Sequence, residues 1–222
     1  MEGKTLAQKA ADELVRLIRE QGSAPGDKLP NEYELSALLG VGRNTVREAV
    51  RMLASRNIVD IRQGAGTFVS EKMGIADDPL GFTLIEDRRR LVADLLQVRC
   101  IIEPQLAALA AQNATAQDIG ELERRCGETE ELIAARTDFS DADRAFHVQI
   151  ARCSHNLVMS NLLPVISAGV TFFAAQTERE FEQTVAAHRK IFEAIRDRRG
   201  SDAQQAMQFH LLFNQNRFLD AK

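Results

Sequence analysis

The sequence predicts a mainly α protein: a winged helix-turn-helix with a small β-ribbon, then an all-α helical bundle. Three observations predict it. Residues 29–69 read as two short helices around a glycine-broken turn, followed by two strands around a glycine tip. After Val69 no strand alternation recurs, while apolar residues keep helical spacing to the end of the chain. Between the two patterns, residues 70–90 carry Gly74, Asp77-Asp78-Pro79 and Gly81 without sustained periodicity. Domains are therefore expected at 1–70 and 90–222, with a linker over 71–89.

Residues 4–21 put Leu6, Ala10, Leu14, Leu17 and Ile18 on one helical stripe that Gly22 ends, and Pro25-Gly26 turns the chain. Asn31 is an N-cap with Glu34 three residues on, the spacing of a capping box. Leu35, Leu38 and Leu39 then share one face, and Gly40-Val41-Gly42 breaks the helix. A second helix runs from Arg43 to about Ser55, with Val46, Val50 and Leu53 inside. Arg43, Asn44, Thr45, Arg47 and Arg51 belong to its other faces, and Arg43 and Arg47 are one turn apart. Forked guanidinium groups near the N-terminus of such a helix suit the major groove of DNA. Residues 58–62 alternate as a strand, Gln63-Gly64-Ala65-Gly66 turns, and residues 67–69 return. Gly64 and Gly66 let the ribbon tip approach a sugar-phosphate backbone closely. A helical hairpin is also a common packing unit, and helix arginines usually form a solvated face. The coincidence of helix pair, clustered arginines and ribbon favours the DNA reading.

The net charge of −4 argues against nucleic acid only if it is spread evenly. It is not: the first 70 residues carry +1 and the remainder −5. Within residues 42–62, five arginines face only Glu48 and Asp60. A small basic head on an acidic body disfavours indiscriminate sticking to DNA. The three cysteines, Cys100, Cys126 and Cys153, are odd in number and far apart, so neither a disulfide framework nor a zinc knuckle is expected. No apolar run nears the ~20 residues needed to span a bilayer, and the N-terminus lacks signal-peptide character. A cytoplasmic protein with reduced thiols and no membrane partner is expected.

The second part reads as helices over 88–113, 115–136, 140–153, 156–176, 178–199 and 202–219. Pro104 should kink the first. Gly200-Ser201 is read as a helix-ending glycine followed by an N-cap serine. Of four histidines, three join one aspartate in a pattern. Asp143 and His147 are i and i+4, on one helix face. His188 lies 12 residues before Gly200 and His210 lies 10 after. At ~1.5 Å per residue, both are roughly 15–18 Å from the turn, level in an antiparallel pair. Three imidazoles and a carboxylate suit a divalent ion such as zinc, nickel or manganese. Residue by residue, blander accounts exist: a capping box for Asp143, core histidines for His147 and His188, a helix surface for His210. His155, in Ser-His-Asn at a helix junction, reads as a capping or surface residue. Arg99 with Glu103 at i+4 is either a surface ion pair worth ~0.3–0.5 kcal/mol or a pocket arginine that forks onto a carboxylate.

Residues 29–69 resemble the N-terminal domain of GntR-family bacterial transcription regulators. Leu-Pro-x-Glu-x-x-Leu, Gly-Val-x-Arg-x-x-Val-Arg-Glu-Ala and Gly-x-Gly-Thr-x-Val all stand in the chain. Tyr33 replaces an arginine the family uses toward DNA, and Gly42 replaces a Ser or Thr, implying a weaker helix cap. From about residue 90 onward the chain resembles the effector-binding domain of the FadR-like (FCD) subgroup. The likeness implies that Asp143, His147, His188 and His210 hold a metal and that Arg99 belongs to an effector pocket. It also implies a regulator of double-stranded operator DNA, a repressor acting as a homodimer, switched by a small carboxylic or sugar acid. The competing expectation is a metal-dependent enzyme fused to a winged helix. Against an enzyme, no Ser-His or Cys-His nucleophile spacing and no HExxH-like general base occurs. A purely structural metal is the third alternative.

Overall fold

The computed structural model describes residues 3–72, 74–76, 78–173 and 181–220. The chain divides into two compact units, Met1–Pro79 and Leu80–Lys222. None of the helices among the described residues is long and apolar enough to cross a membrane.

In the first unit, α1 (Leu6–Glu20) starts at a Thr5–Gln8 capping box. Ala7, Ala10, Ala11, Leu14 and Ile18 are its buried residues, whereas Leu6 is exposed. α2 (Glu32–Leu39) begins at the expected Asn31–Glu34 capping box and ends at Gly40, whose left-handed φ of 63° closes the helix. Leu35 is buried there, but Leu38 faces solvent. α3 (Arg43–Ala54) buries Val46, Ala49, Val50 and Leu53. Its cap, Gly42, makes no side-chain hydrogen bond, as expected from the missing hydroxyl. β1 (Val59–Arg62) pairs antiparallel with β2 (Gly66–Val69), Val59 opposite Val69 and Arg62 opposite Gly66. One core joins α1, α2, α3 and both strands. After Val69 the backbone stays tied down: Asn57 accepts from the Gly74 N–H and donates from Nδ2 to the Ile75 carbonyl, each at 2.8 Å.

The second unit opens with a 3-10 turn, Phe82–Leu84, and α4 (Arg88–Asn113). Pro104 does not end α4; the helix is continuous through it. α5 (Ala116–Ala134) starts at a Thr115–Asp118 capping box. α6 (Ser140–Cys153), α7 (Leu157–Phe173), α8 (Phe181–Arg196) and α9 (Gly200–Asp220) follow. The helix ends expected at 176 and 178 lie outside the described residues. The main core unites Ala107, Ala110 and Ala111 of α4 with Phe146, Ile150, Ile191, Ile195, Met207 and Leu211. Three small side chains on α4 permit the close approach of its neighbours.

The turn between α8 and α9 differs from the sequence expectation. Arg198, not Gly200, takes the left-handed conformation, with φ of 61°. Its cost is offset locally, because the Arg198 guanidinium donates to the carbonyls of Ala111 and Ala114 at 3.2 and 2.6 Å, where α4 ends without its own donors. Gly200 instead opens α9, where an added Cβ would stand 3.5 Å from the Ala108 carbonyl oxygen.

Candidate functional site

On α3, Arg43, Asn44, Arg47 and Arg51 are exposed and Thr45 is half-buried. Arg47 is held from α2: its Nε donates to Glu32 Oε1 at 3.0 Å and its Nη2 to Oε2 at 2.6 Å. Glu32 is thereby held below the usual carboxylate range, chiefly by the Arg47 hydrogen bonds. Tyr33 is 74% exposed at the start of α2. At the ribbon tip, Gly64 and Gly66 have φ of 74° and 121°. A Cβ on Gly66 would meet Lys28 Cε at 2.9 Å, so a close approach as well as a backbone conformation requires glycine. Arg62 lies over the Phe68 ring, 4.2 Å from its centroid, which steadies the ribbon behind that tip.

In the bundle, one ligand atom from each of Asp143, His147, His188 and His210 lies within 4.8 Å of all the others. α6 supplies the first two from one face, and α8 and α9 supply one imidazole each at matching levels. The His188 and His210 ring centroids are 4.9 Å apart. All three histidines are buried, His210 included, so the helix-surface account of that residue does not hold. Nor is Asp143 part of a capping box: α6 is capped by Phe139 without a side-chain hydrogen bond, and Ser140 is already helical.

The donor set fits a metal ion on chemical grounds. Two imidazole nitrogens each about 2.1 Å from one ion stand about 3.0–3.4 Å apart. His147 Nε2 and His210 Nε2 are separated by 3.2 Å, and His188 Nε2 lies 3.4 Å from Asp143 Oδ1. His188 Nδ1 has no hydrogen-bond partner and Nε2 faces only that Asp143 oxygen, although the residue is fully buried and stacked on Phe146 with centroids 4.2 Å apart. Orphaned buried nitrogens are costly unless something else binds them. Burial lowers the pKa of His188, only partly opposed by Asp143. Burial, then the neighbouring His188 and His147, lower His210 further, well below the ordinary imidazole value. Both are neutral near pH 7, the state a metal ligand requires.

Arg99 is not a surface residue: it and Glu103 are 5% and 1% exposed. Arg99 Nε donates to Glu103 Oε1, while Arg99 Nη2 is buried without a hydrogen-bond partner. Glu103 Oε2 accepts from His147 Nδ1 at 2.5 Å. Burial would raise the Glu103 carboxyl, but Arg99 and His147 outweigh it and hold it well below the usual range. In the sequence, Glu103 stands out only as the i+4 partner of Arg99. Its reach to His147, 44 positions away, has no spacing signature. Asn214, one turn beyond His210 with Nδ2 at 3.4 Å from its Nε2, also belongs to the site, and its i+4 spacing is the one sequence signal that points to it. His155 stands apart from the cluster at a helix end, half-exposed and 2.8 Å from Asp118 Oδ2.

Residues 94–213 match the FCD domain, and residues 6–69 match the bacterial regulatory proteins of the gntR family. The solved structure of Streptococcus agalactiae GntR is 40% identical, with a TM-score of 0.84, covering 95% of this chain and 99% of that one. The galactonate operon transcriptional repressor of Escherichia coli (strain K12) is 30% identical over 190 residues, 82% of this chain and 83% of its own. The putative L-lactate dehydrogenase operon regulatory protein of the same organism is 32% identical over 223 residues, 95% and 85% of the two chains. These are regulators rather than enzymes, which removes the metalloenzyme alternative. Winged helix, helical bundle, family matches and relatives agree, and the chain belongs to the GntR family of bacterial transcription regulators, with a FadR-like FCD effector-binding domain at its C-terminal side.

Proposed function

We propose that this regulator is a repressor, a homodimer in the cytoplasm, whose operator affinity falls when a small hydroxy-carboxylic or sugar acid binds in the C-terminal bundle. The observation that carries this reading is the orphaned Arg99 Nη2, a buried cationic donor linked through Glu103 to a cluster of three buried histidines. A buried guanidinium N–H without an acceptor is matched by a ligand carboxylate, which takes charge-assisted hydrogen bonds. Asp143, His147, His188 and His210 would hold a divalent ion, with zinc or nickel favoured by three nitrogen donors and manganese a weaker match. Such an ion supplies positive charge for a second oxygen of the acid. Two relatives are named for the galactonate and L-lactate dehydrogenase operons. Galactonate and lactate both carry a hydroxyl beside a carboxylate, a pair of oxygens suited to an ion and an arginine together.

In the head, Arg43, Asn44, Thr45, Arg47 and Arg51 would enter the major groove, with Tyr33 beside them and Gly64 and Gly66 against the backbone of the DNA. Two-fold symmetric half-sites one helical turn apart, ~34 Å, need two heads and hence a dimer. Val98 and Ile101 on α4 and Phe209 and Leu212 on α9 stay exposed on two helices that pack together, which supplies apolar area for a partner. The test is a thermal-shift screen of hydroxy and sugar acids against zinc-loaded protein, followed by gel shifts with operator DNA. Stabilising acids should release the operator, and acids that stabilise without changing operator affinity would rule out the switch.

A further inference from the structure

Glu103 is fully buried and uses both carboxylate oxygens, one toward Arg99 Nε and one toward His147 Nδ1. An ionised carboxylate only accepts hydrogen bonds. His147 Nδ1 is thus the donor in that contact, which turns Nε2 toward His210 Nε2 at 3.2 Å, and in the neutral ring a proton on Nδ1 leaves Nε2 its lone pair. Building on the metal-dependent reading above, we propose that Glu103 is a positioning residue that holds His147 by Nδ1 and so selects its metal-ligating tautomer, with Arg99 fixing the other carboxylate oxygen.

The substitution Glu103→Gln isolates this role because it preserves shape and removes one acceptor. The amide offers one oxygen and one NH2, yet it faces two donors. The charged guanidinium is the stronger claimant on the oxygen. The NH2 then faces His147 Nδ1, which must become an acceptor, and the imidazole proton moves to Nε2. That nitrogen is the one directed at His210. Binding an ion there would first require expelling the proton or breaking the new hydrogen bond. A purely structural Glu103 would change stability without moving the proton between the ring nitrogens.

The experiment measures two quantities on the full chain. Zinc affinity is taken by competition with a chromophoric chelator for wild type and Glu103→Gln, and the His147 tautomer by 15N NMR on histidine-labelled, metal-free protein. Expected are an Nδ1–H tautomer in wild type, an Nε2–H tautomer in the variant, and zinc affinity lower by about 10- to 100-fold. An Nε2–H tautomer in the wild type overturns the proposal without any variant, so a Glu103→Gln chain that fails to fold does not shelter it. Equal zinc affinity and an unchanged tautomer in a folded variant overturn it as well. If the wild type itself binds no zinc, the metal-dependent reading of the bundle falls, and this inference falls with it.

Discussion

Glu32 grips Arg47 side-on across the helix-turn-helix, accepting from Nε at 3.0 Å and from Nη2 at 2.6 Å. The opposite edge of the guanidinium, made by Nη1 and the second Nη2 hydrogen, is the fork that matches guanine O6 and N7. Arg47→Ala is expected to cost ~1–3 kcal/mol at one operator base pair and to relax preference there. Glu32→Gln should lower discrimination at that same base pair while non-specific binding holds or rises, since a negative charge near phosphate is removed. Gel shifts against operators varied at single positions, at fixed salt, decide it. Unchanged discrimination in both variants would show that Arg47 reads no base.

Arg99→Lys keeps a charge beside Glu103 but loses the planar fork. Zinc content should stay at the wild-type level, whereas affinity for any acid found by thermal shift should fall by about tenfold or more, the ~1.5–3 kcal/mol of a hydrogen bond to a charged group. Calorimetry with the same acid on both proteins gives the answer. Equal affinities would remove Arg99 from the pocket.

Removing two imidazoles tests the cluster itself. The variant His188→Ala with His210→Ala should lose bound metal while keeping its helical circular dichroism, since three ligand helices remain packed through Phe146, Ile191, Ile195 and Leu211. Metal analysis of the purified variant that returns one equivalent per chain contradicts the assignment.

Acid should destabilise the metal-free protein in a defined direction. Unfolded imidazoles take up protons from about pH 6.5 downward. In the folded chain, burial lowers the pKa of His188 and, more strongly, His210. The unfolded state therefore binds more protons, and stability is full above about pH 6.5 and lost as pH falls toward the lower folded-state values. Denaturant midpoints of the zinc-stripped protein should drop between about pH 7 and pH 5, and bound zinc should shift that loss to lower pH because protons must displace it. A flat profile for the stripped protein would mean these imidazoles are not buried and neutral.

Much of this was legible in the sequence because its signals are local. The Asn31 capping box, the α3 stripe of Val46, Val50 and Leu53, and the Gly64–Gly66 tip all follow from spacings under about ten residues. The histidine cluster was legible through one longer inference, the similar distances of His188 and His210 from the turn between their helices, 12 and 10 residues from Gly200. What stayed hidden was set by tertiary contact. Nothing between residues 32 and 47 announces that Glu32 holds Arg47, and nothing near Arg99 announces burial. Arg198 could replace Gly200 as the left-handed residue because its guanidinium reaches the end of α4, a compensation no turn rule contains.

Acid and operator are expected to compete through one protein. A ligand shifts an equilibrium only by its differential affinity for the two states, and the coupling is reciprocal. The direct measurement is calorimetric titration of zinc-loaded protein with a stabilising hydroxy acid, alone and saturated with operator DNA, paired with operator binding with and without that acid. Acid binding should weaken on the operator, by the same factor by which the acid weakens operator binding. Identical acid affinity in both conditions would show that the bundle does not switch the head.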